Sequence, residues 1–207
     1  NENERLRGQQ INAYEKLFGP NILIDDTLYQ KQYLFTKAKI INNSINKQNN
    51  YLTLNVGSKN GIEKGMGVLA PNGVVGIVQN VSQNYASVLS LLHGSAKISV
   101  KLKGSNYFGS MQWDGEDYRR GILTDIPNHV DIQIGDTIVT SGFSATFPAD
   151  IYVATIADFD KPKGENFYDI KLNFSTDFKN LSHVYVVKNS RSTEQLELEE
   201  EREEING

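Results

Sequence analysis

The segments IEKGMGVL (62–69) and IQIGDTIV (132–139) carry the pattern that decides the fold of this chain. Each has an isoleucine, a glycine three residues later and then an aliphatic pair, and the two segments are 70 residues apart. A candidate strand precedes each segment, and a proline followed by another candidate strand comes after it. The repeat predicts two similar β-units of about seventy residues, the size of a small five- or six-stranded barrel. Chance similarity between two β-hairpins is the competing interpretation.

The hydrophobic pattern between Tyr33 and Lys188 indicates strand after strand. Apolar residues alternate with polar ones in YLTLNV (51–56), KISVKLK (97–103) and YDIKLNFS (168–175). Such alternation is typical of half-buried strands, and short strands at close spacing favour an all-β sandwich or barrel. The repeat and the alternation together predict a mainly β chain with two small barrels.

Both ends of the chain differ from this β region. Leu6, Ala13 and Leu17 recur at a spacing near seven, which predicts a helix over residues 1–20 that forms the end of a coiled coil. Residues 189–207 contain seven Glu and two Arg, which predicts an acidic, disordered tail.

We therefore expect four regions: a helix at 1–20, a first β-barrel at 33–97, a second β-barrel at 98–188 and the tail at 189–207. The pattern leaves open whether the last strands complete the second barrel or return to the first.

Charge and composition exclude several classes of function. The net charge is −4, and the tail alone carries −5, so the rest of the chain is near +1. A nearly neutral body argues against the electrostatic grip that nucleic acids require. The chain contains no cysteine, which excludes disulfides, thiolate nucleophiles and zinc-thiolate sites. Because the sequence begins at Asn1 and not at a methionine, it leaves open a signal peptide or a membrane anchor upstream.

The glycine-rich stretch VGSKNGIEKGMGV (56–68) raises the possibility of a phosphate-binding loop. A P-loop needs four residues between its glycines, then Lys and Ser or Thr, and a helix after it. Here three residues separate Gly57 from Gly61, and a strand-like segment follows. We therefore interpret the stretch as two turns between strands. DGED (114–117) and DFDKPKGE (158–165) lack the spacing of a calcium loop and are also interpreted as loops.

A two-barrel layout makes a trypsin-like protease one alternative. His93 is the candidate base, and Ser141 or Ser144 is the candidate nucleophile. The candidate orienting acids are Asp114, Asp117 and Asp125. GFSAT (142–146) approaches the G-x-S-x-G elbow but has Thr146 in place of the second glycine, and a protease signature around the serines is missing. We therefore expect the double barrel to lack a catalytic triad.

A nucleic-acid-binding barrel of the OB type is the stronger alternative. Lysines at positions 97, 101 and 103, with Tyr107, Phe108 and Trp113 nearby, could form a basic face with aromatic side chains for stacking. The simpler interpretation is that these lysines keep a sheet surface soluble. The near-neutral charge favours the simpler interpretation.

The block YLTLNVGSKNGIEKGMGVLAPNGVVGIVQNVSQNYASVLSLL (51–92) resembles the bacterial rod-shape-determining MreC family. IQIGDTIVTSGFSATFPADIYVATI (132–156) and DFKNLSHVYVV (177–187) are similar to later parts of the same family, and ENERLR (2–7) resembles the end of its coiled coil. The chain departs from the family at Ser144, Ala145 and Thr146, where glycines are usual.

The resemblance implies a non-enzymatic scaffold of the cell-wall elongation machinery that maintains rod shape. It implies two β-barrels on the periplasmic side of the inner membrane, anchored by an upstream transmembrane helix. The implied partners are further copies of the chain, in a dimer or a filament, MreD and the elongation-specific penicillin-binding protein. We expect no cofactor, no metal, no catalytic residue and no nucleic-acid partner. Candidate protein-contact residues are Leu6, Ala13, Leu17, Phe143 and Phe147. For Phe143 and Phe147, packing between the two barrels is the competing interpretation, with equal weight.

Overall fold

The computed structural model describes residues 32–206, and the structural statements below concern that range. Its strands form two closed, antiparallel, six-stranded barrels. The strands of the first barrel are β1 (Tyr33–Asn43), β2 (Asn49–Leu54), β3 (Gly67–Ala70), β4 (Gly73–Val81), β5 (Ala86–His93) and β12 (His183–Asn189). Those of the second are β6 (Lys97–Leu102), β7 (Phe108–Trp113), β8 (Arg120–Thr124), β9 (Thr137–Thr140), β10 (Tyr152–Asp160) and β11 (Asp169–Phe174). The prediction of a mainly β chain with two small barrels is confirmed.

Strand pairing repeats from one barrel to the other. The ring order is β1-β12-β3-β4-β5-β2 in the first barrel and β7-β6-β9-β10-β11-β8 in the second. Strands β1 to β5 therefore correspond to β7 to β11, each with the same neighbours. The remaining strand of each ring is β12 in the first barrel, between β1 and β3, and β6 in the second, between β7 and β9. The two β-units predicted from the repeat thus have equivalent topologies, but the final strand β12 returns to the first barrel.

The repeated glycines of the two opening segments make the same turn. Gly65 and Gly135 have φ angles of 88° and 95°, in the left-handed region that side chains disfavour. Gly65 N–H donates to the carbonyl of Val78 in β4 at 2.8 Å, and Gly135 N–H donates to that of Ile156 in β10, also at 2.8 Å. Each glycine therefore joins the turn before the third strand of its unit to the fourth strand.

The two barrels share one continuous hydrophobic core, and Phe147 is central to their contact. This side chain belongs to the loop between β9 and β10 and is only 2% exposed. Its ring lies against Gly67 at the start of β3, where a Cβ atom would come within 2.6 Å of the ring. The absence of a side chain at Gly67 therefore makes room for the second barrel on the outer surface of the first.

A second contact between the barrels lies at the start of β4. The hydroxyl of Thr176, which is buried, donates to the carbonyl of Val74 at 2.9 Å. Thr176 belongs to the segment that leads from β11 back to β12. The segment that connects the second barrel to the closing strand of the first therefore also bonds the two barrels together.

The acidic C-terminal region has a different structure from the one predicted. Ser192–Asn206 form an α-helix, α1, where the sequence predicts a disordered tail. Glu, Gln and Leu have high helix propensity, and the density of like charge does not outweigh it here. The predicted N-terminal helix at 1–20 lies outside the described residues. Among residues 32–206, none of the helices is long and apolar enough to cross a membrane.

We predict that Gly135→Ala lowers the free energy of unfolding by roughly 1 kcal/mol because alanine disfavours a positive φ. The cause is conformational, since an added Cβ would have no neighbour within 4 Å. Gly94→Ala is the matched control because its φ is not in the left-handed region and its nearest neighbour would be 3.7 Å away. Urea denaturation of both variants measures the difference, and equal stability would contradict the role of the turn.

We predict that Gly67→Ala lowers the free energy of unfolding by roughly 1–3 kcal/mol, since the new methyl group overpacks the contact between the barrels. In the double variant Gly67→Ala/Phe147→Leu, a smaller side chain replaces the facing ring. This variant should regain part of the lost stability. A double-mutant cycle measured by urea denaturation gives the coupling. Strictly additive effects would show that Phe147 does not constrain Gly67.

Candidate protein-contact surface

The loop between β9 and β10 holds Phe143 at the surface in a fixed position. The loop is tied at both ends: Thr140 donates its hydroxyl proton to the carbonyl of Pro148 at 2.6 Å, and the backbone N–H of Phe143 donates to Ser141 Oγ at 3.2 Å. The hydroxyls of Ser141 and Ser99 are 2.8 Å apart, which connects the loop to β6. A rigid loop of this kind presents an aromatic side chain with little loss of conformational entropy on binding.

Phe143 forms an exposed aromatic pair with Phe108 at the start of β7. The two side chains are 66% and 53% exposed, and their ring centroids lie 5.0 Å apart in an edge-to-face arrangement. Edge-to-face pairs are attractive because of the ring quadrupoles, so the rings hold each other in place. Large exposed aromatic side chains that are already ordered are typical of protein-binding surfaces.

A row of side chains crosses the outer surface of the second barrel beside this pair. Phe108 is directly opposite Lys101, Lys101 is opposite Val139, and Val139 is opposite Tyr152. Val139 is fully buried beneath its neighbours, whereas Phe108 and Tyr152 are exposed. Directly opposed residues share one face of a sheet. We call Phe143 together with this row the Phe143 surface.

The charged side chains of the Phe143 surface are already paired. Lys101 forms a salt bridge of 3.0 Å with Asp150. Lys103 donates a hydrogen bond of 2.8 Å to the hydroxyl of Tyr152, and its ammonium group lies 4.7 Å from a Tyr152 ring centroid. The surface therefore offers exposed aromatic side chains beside lysines that are already paired, which suits a protein partner.

The structure separates the predicted contact residues. Phe143 is exposed, whereas Phe147 is buried between the barrels, so its prediction as an exposed contact is corrected. The physical reason is that Gly67 leaves space for the Phe147 ring, which the sequence pattern of the loop does not reveal. Leu6, Ala13 and Leu17 lie outside the described residues.

The residues considered for a protease are not assembled into a triad in the described chain. His93 is nearly buried, and its Nε2 lies 3.1 Å from the hydroxyl of Tyr51. Its Nδ1 accepts the backbone N–H of Ser95 at 3.1 Å, which places the proton of the neutral ring on Nε2. Ser141 instead contacts Ser99, and Ser144 Oγ accepts the N–H of Thr146. Burial lowers the pKa of His93, which favours a neutral, structural imidazole.

The basic and aromatic residues considered for nucleic-acid binding share one face only in part, since Phe108 lies opposite Lys101 but Trp113 does not join them. Trp113 is in the core, and its indole N–H donates to the carbonyl of Asp117 at 2.9 Å. Tyr107 lies edge-to-face against His129. Lys101 and Lys103 make the contacts given above, so a stacking platform with free lysines is not formed by these side chains.

The two acidic loops meet, which the sequence did not predict. Asp114, Glu116 and Asp117 line one groove of about 820 Å³ together with Asp158 and Asp160. Hydrogen bonds from the Arg119 side chain lower the pKa of Asp117 to about 2. Across the described residues, three or more His, Cys, Asp or Glu side chains nowhere converge in a way that could hold a metal ion.

Comparison with known proteins gives a consistent match. The family model for the barrel core of the rod shape-determining protein MreC matches residues 40–188. The cell shape-determining protein MreC of Listeria monocytogenes is 28% identical over 170 residues, which are 81% of this chain and 58% of that protein. This chain therefore spans less than two-thirds of that relative.

Solved structures share the fold. A structure of MreC from Listeria monocytogenes superposes with a TM-score of 0.71 at 25% identity, covering 91% of each chain. MreC in a complex with the penicillin-binding protein PBP2 from Helicobacter pylori has a TM-score of 0.60 at 18% identity, covering 77% of this chain and 99% of that one. The family model covers well over half of the present sequence, and the fold agrees with it. The chain belongs to the MreC family of rod-shape-determining proteins.

Proposed function

We propose that this chain is a non-enzymatic scaffold of cell-wall elongation that binds a penicillin-binding protein through the Phe143 surface. The observation that carries the proposal is the exposed, ordered Phe143–Phe108 pair on a chain of this family. The relative from Helicobacter pylori was solved in a complex with a penicillin-binding protein. This complex supports a penicillin-binding protein as the class of partner.

The physical basis of the proposed scaffold is rigidity. The two closed barrels leave few unpaired strand edges, and Phe147 and Thr176 fix one barrel against the other. A partner bound at the Phe143 surface is therefore held at a defined distance and angle from the first barrel. The burial of His93 and its contacts with Tyr51 and Ser95 support a structural role for this residue over a catalytic one.

We further propose that the chain associates with a second copy through Leu6, Ala13 and Leu17, and that it acts on the periplasmic side of the inner membrane with MreD as another partner. The support for these proposals is the heptad-like spacing and the family membership. β1 begins at Tyr33, so a helical pair upstream would place two double barrels close to their common axis.

We predict that Phe143→Asp weakens binding to the elongation-specific penicillin-binding protein of the same organism about tenfold or more, equal to about 1.4 kcal/mol, because a charge replaces a central aromatic contact. Phe167→Asp is the matched control, since Phe167 is also about half exposed but is not part of the Phe143 surface. Titration by surface plasmon resonance gives both affinities. Wild-type affinity in Phe143→Asp would contradict the assigned surface, and lack of binding by the wild-type chain would contradict the partner.

We predict that Leu6→Asp/Leu17→Asp converts a dimer of the chain to a monomer, because carboxylates at coiled-coil contact positions lose their hydration on pairing. Gln9→Asp/Asn12→Asp changes the same number of side chains away from the apolar spacing and should leave the dimer intact. Analytical ultracentrifugation distinguishes the two masses. Equal behaviour of the two variants would remove the basis for the helical contact.

A further inference from the structure

One groove of the molecule is shared by both barrels and the C-terminal helix. Its volume is about 400 Å³, and its apolar lining includes Met66 before β3, Phe143 and Ala145 of the β9–β10 loop, Val187 of β12 and Leu196 of α1. Phe143 thus belongs both to the Phe143 surface and to this groove, which we call the α1 groove. The α1 groove and the Phe143 surface therefore have one aromatic side chain in common.

A single face of α1 points toward the groove. The helix residues in its lining are Ser192, Leu196 and Glu199, at positions i, i+4 and i+7. Leu196 is nevertheless 48% exposed, so the helix covers the groove without filling it. Leu198, which is 63% exposed, does not line it.

The base of α1 is connected directly to the Phe143 loop by Asn189. The side-chain amide of this buried residue donates to the carbonyl of Ala145 at 3.0 Å, and its Oδ1 accepts the N–H of Arg191 at 3.0 Å. Ser192 donates its hydroxyl proton to the Asn189 carbonyl at 2.9 Å. Asn189 therefore holds the first turn of α1 beside the loop, while the rest of the helix depends on its own stability and on Leu196.

The sequence of α1 gives the helix little stability of its own. Glu197 and Glu201 are one helical turn apart and both exposed, and like charges at this spacing destabilise a helix. The last turn has no basic residue to balance the helix dipole. A helix of 15 residues is marginal in water even with favourable side chains, so contact with the groove contributes to keeping it folded.

We propose that α1 is a reversible cover of the α1 groove, which docks through Leu196 and partly occludes the side of the groove that leads to Phe143. Release of α1 frees apolar surface beside Phe143 while the Asn189 contacts keep the helix tethered. The proposal rests on the proposed function for what the open groove binds, but the movement of the cover is a property of this chain alone. The family model for the barrel core ends at residue 188, before α1 begins.

The cover can be tested without any partner because the chain contains no cysteine. A single thiol introduced by Ala145→Cys reports on access to the groove through its rate of reaction with a maleimide. Truncation after Ser190 should raise this rate about fivefold, which corresponds to about 1 kcal/mol of docking free energy. Leu196→Asp in the full chain should produce most of the same increase.

Leu198→Asp is the control, since it adds the same charge to α1 at a position outside the groove, and its labelling rate should stay at the starting value. Unchanged rates after truncation, or equal acceleration by Leu196→Asp and Leu198→Asp, would overturn the proposal. Ser144→Cys is a second reporter in the groove if Ala145→Cys does not fold. Failure of these measurements leaves the partner titration with Phe143→Asp unaffected, so the two proposals fail separately.

Discussion

The return of β12 to the first barrel is the constraint on which the rest of the structure depends. β1 pairs with β12 over a continuous register from Tyr33 opposite Asn189 to Lys39 opposite His183. The first barrel is closed only by a strand that follows the whole of the second barrel in sequence. Both connections between the units are therefore fixed, and the loop that carries Phe143 and Phe147 is pressed against β3 and β12. The contact surface and the α1 groove both result from this closure.

Local patterns were sufficient to predict the strands and the double barrel. Alternation of apolar residues marks a half-buried strand wherever it lies, and the repeated glycines at 65 and 135 identify equivalent turns. The partner of a distant strand has no comparable local signal, because β12 would alternate in the same way in either barrel. The equivalence of β6 and β12 becomes visible only when the pairing of every strand is known.

The candidate site was predictable only in part for the same kind of reason. Phe143 and Phe147 occupy one loop and have the same chemistry, yet one is exposed and the other buried. The difference depends on Gly67, which lies eighty residues away and has no side chain there. The sequence likewise predicts separate turns for the acidic loops at Asp114 and Asp158. The two loops meet because β7, β8, β10 and β11 are neighbours in the ring of the second barrel. The sequence predicts a disordered tail in place of α1 because its dense like charge is taken to outweigh the helix propensity of Glu, Gln and Leu.

Asn189 and Gln32 give the molecule a mechanical property. Ser190 N–H donates to the Gln32 carbonyl at 2.8 Å, and the Gln32 side chain reaches Asn189, so the described chain enters and leaves the barrel at one point. Tension applied at residue 32 along the axis of β1 draws that strand lengthwise past β12 and β2. The hydrogen bonds on both sides of β1 are then loaded in shear, all at the same time. A strand pair loaded in this way resists more force than one whose hydrogen bonds break one after another. Tension at residue 32 that is opposed by a load on the second barrel would thus be carried in shear by the first barrel.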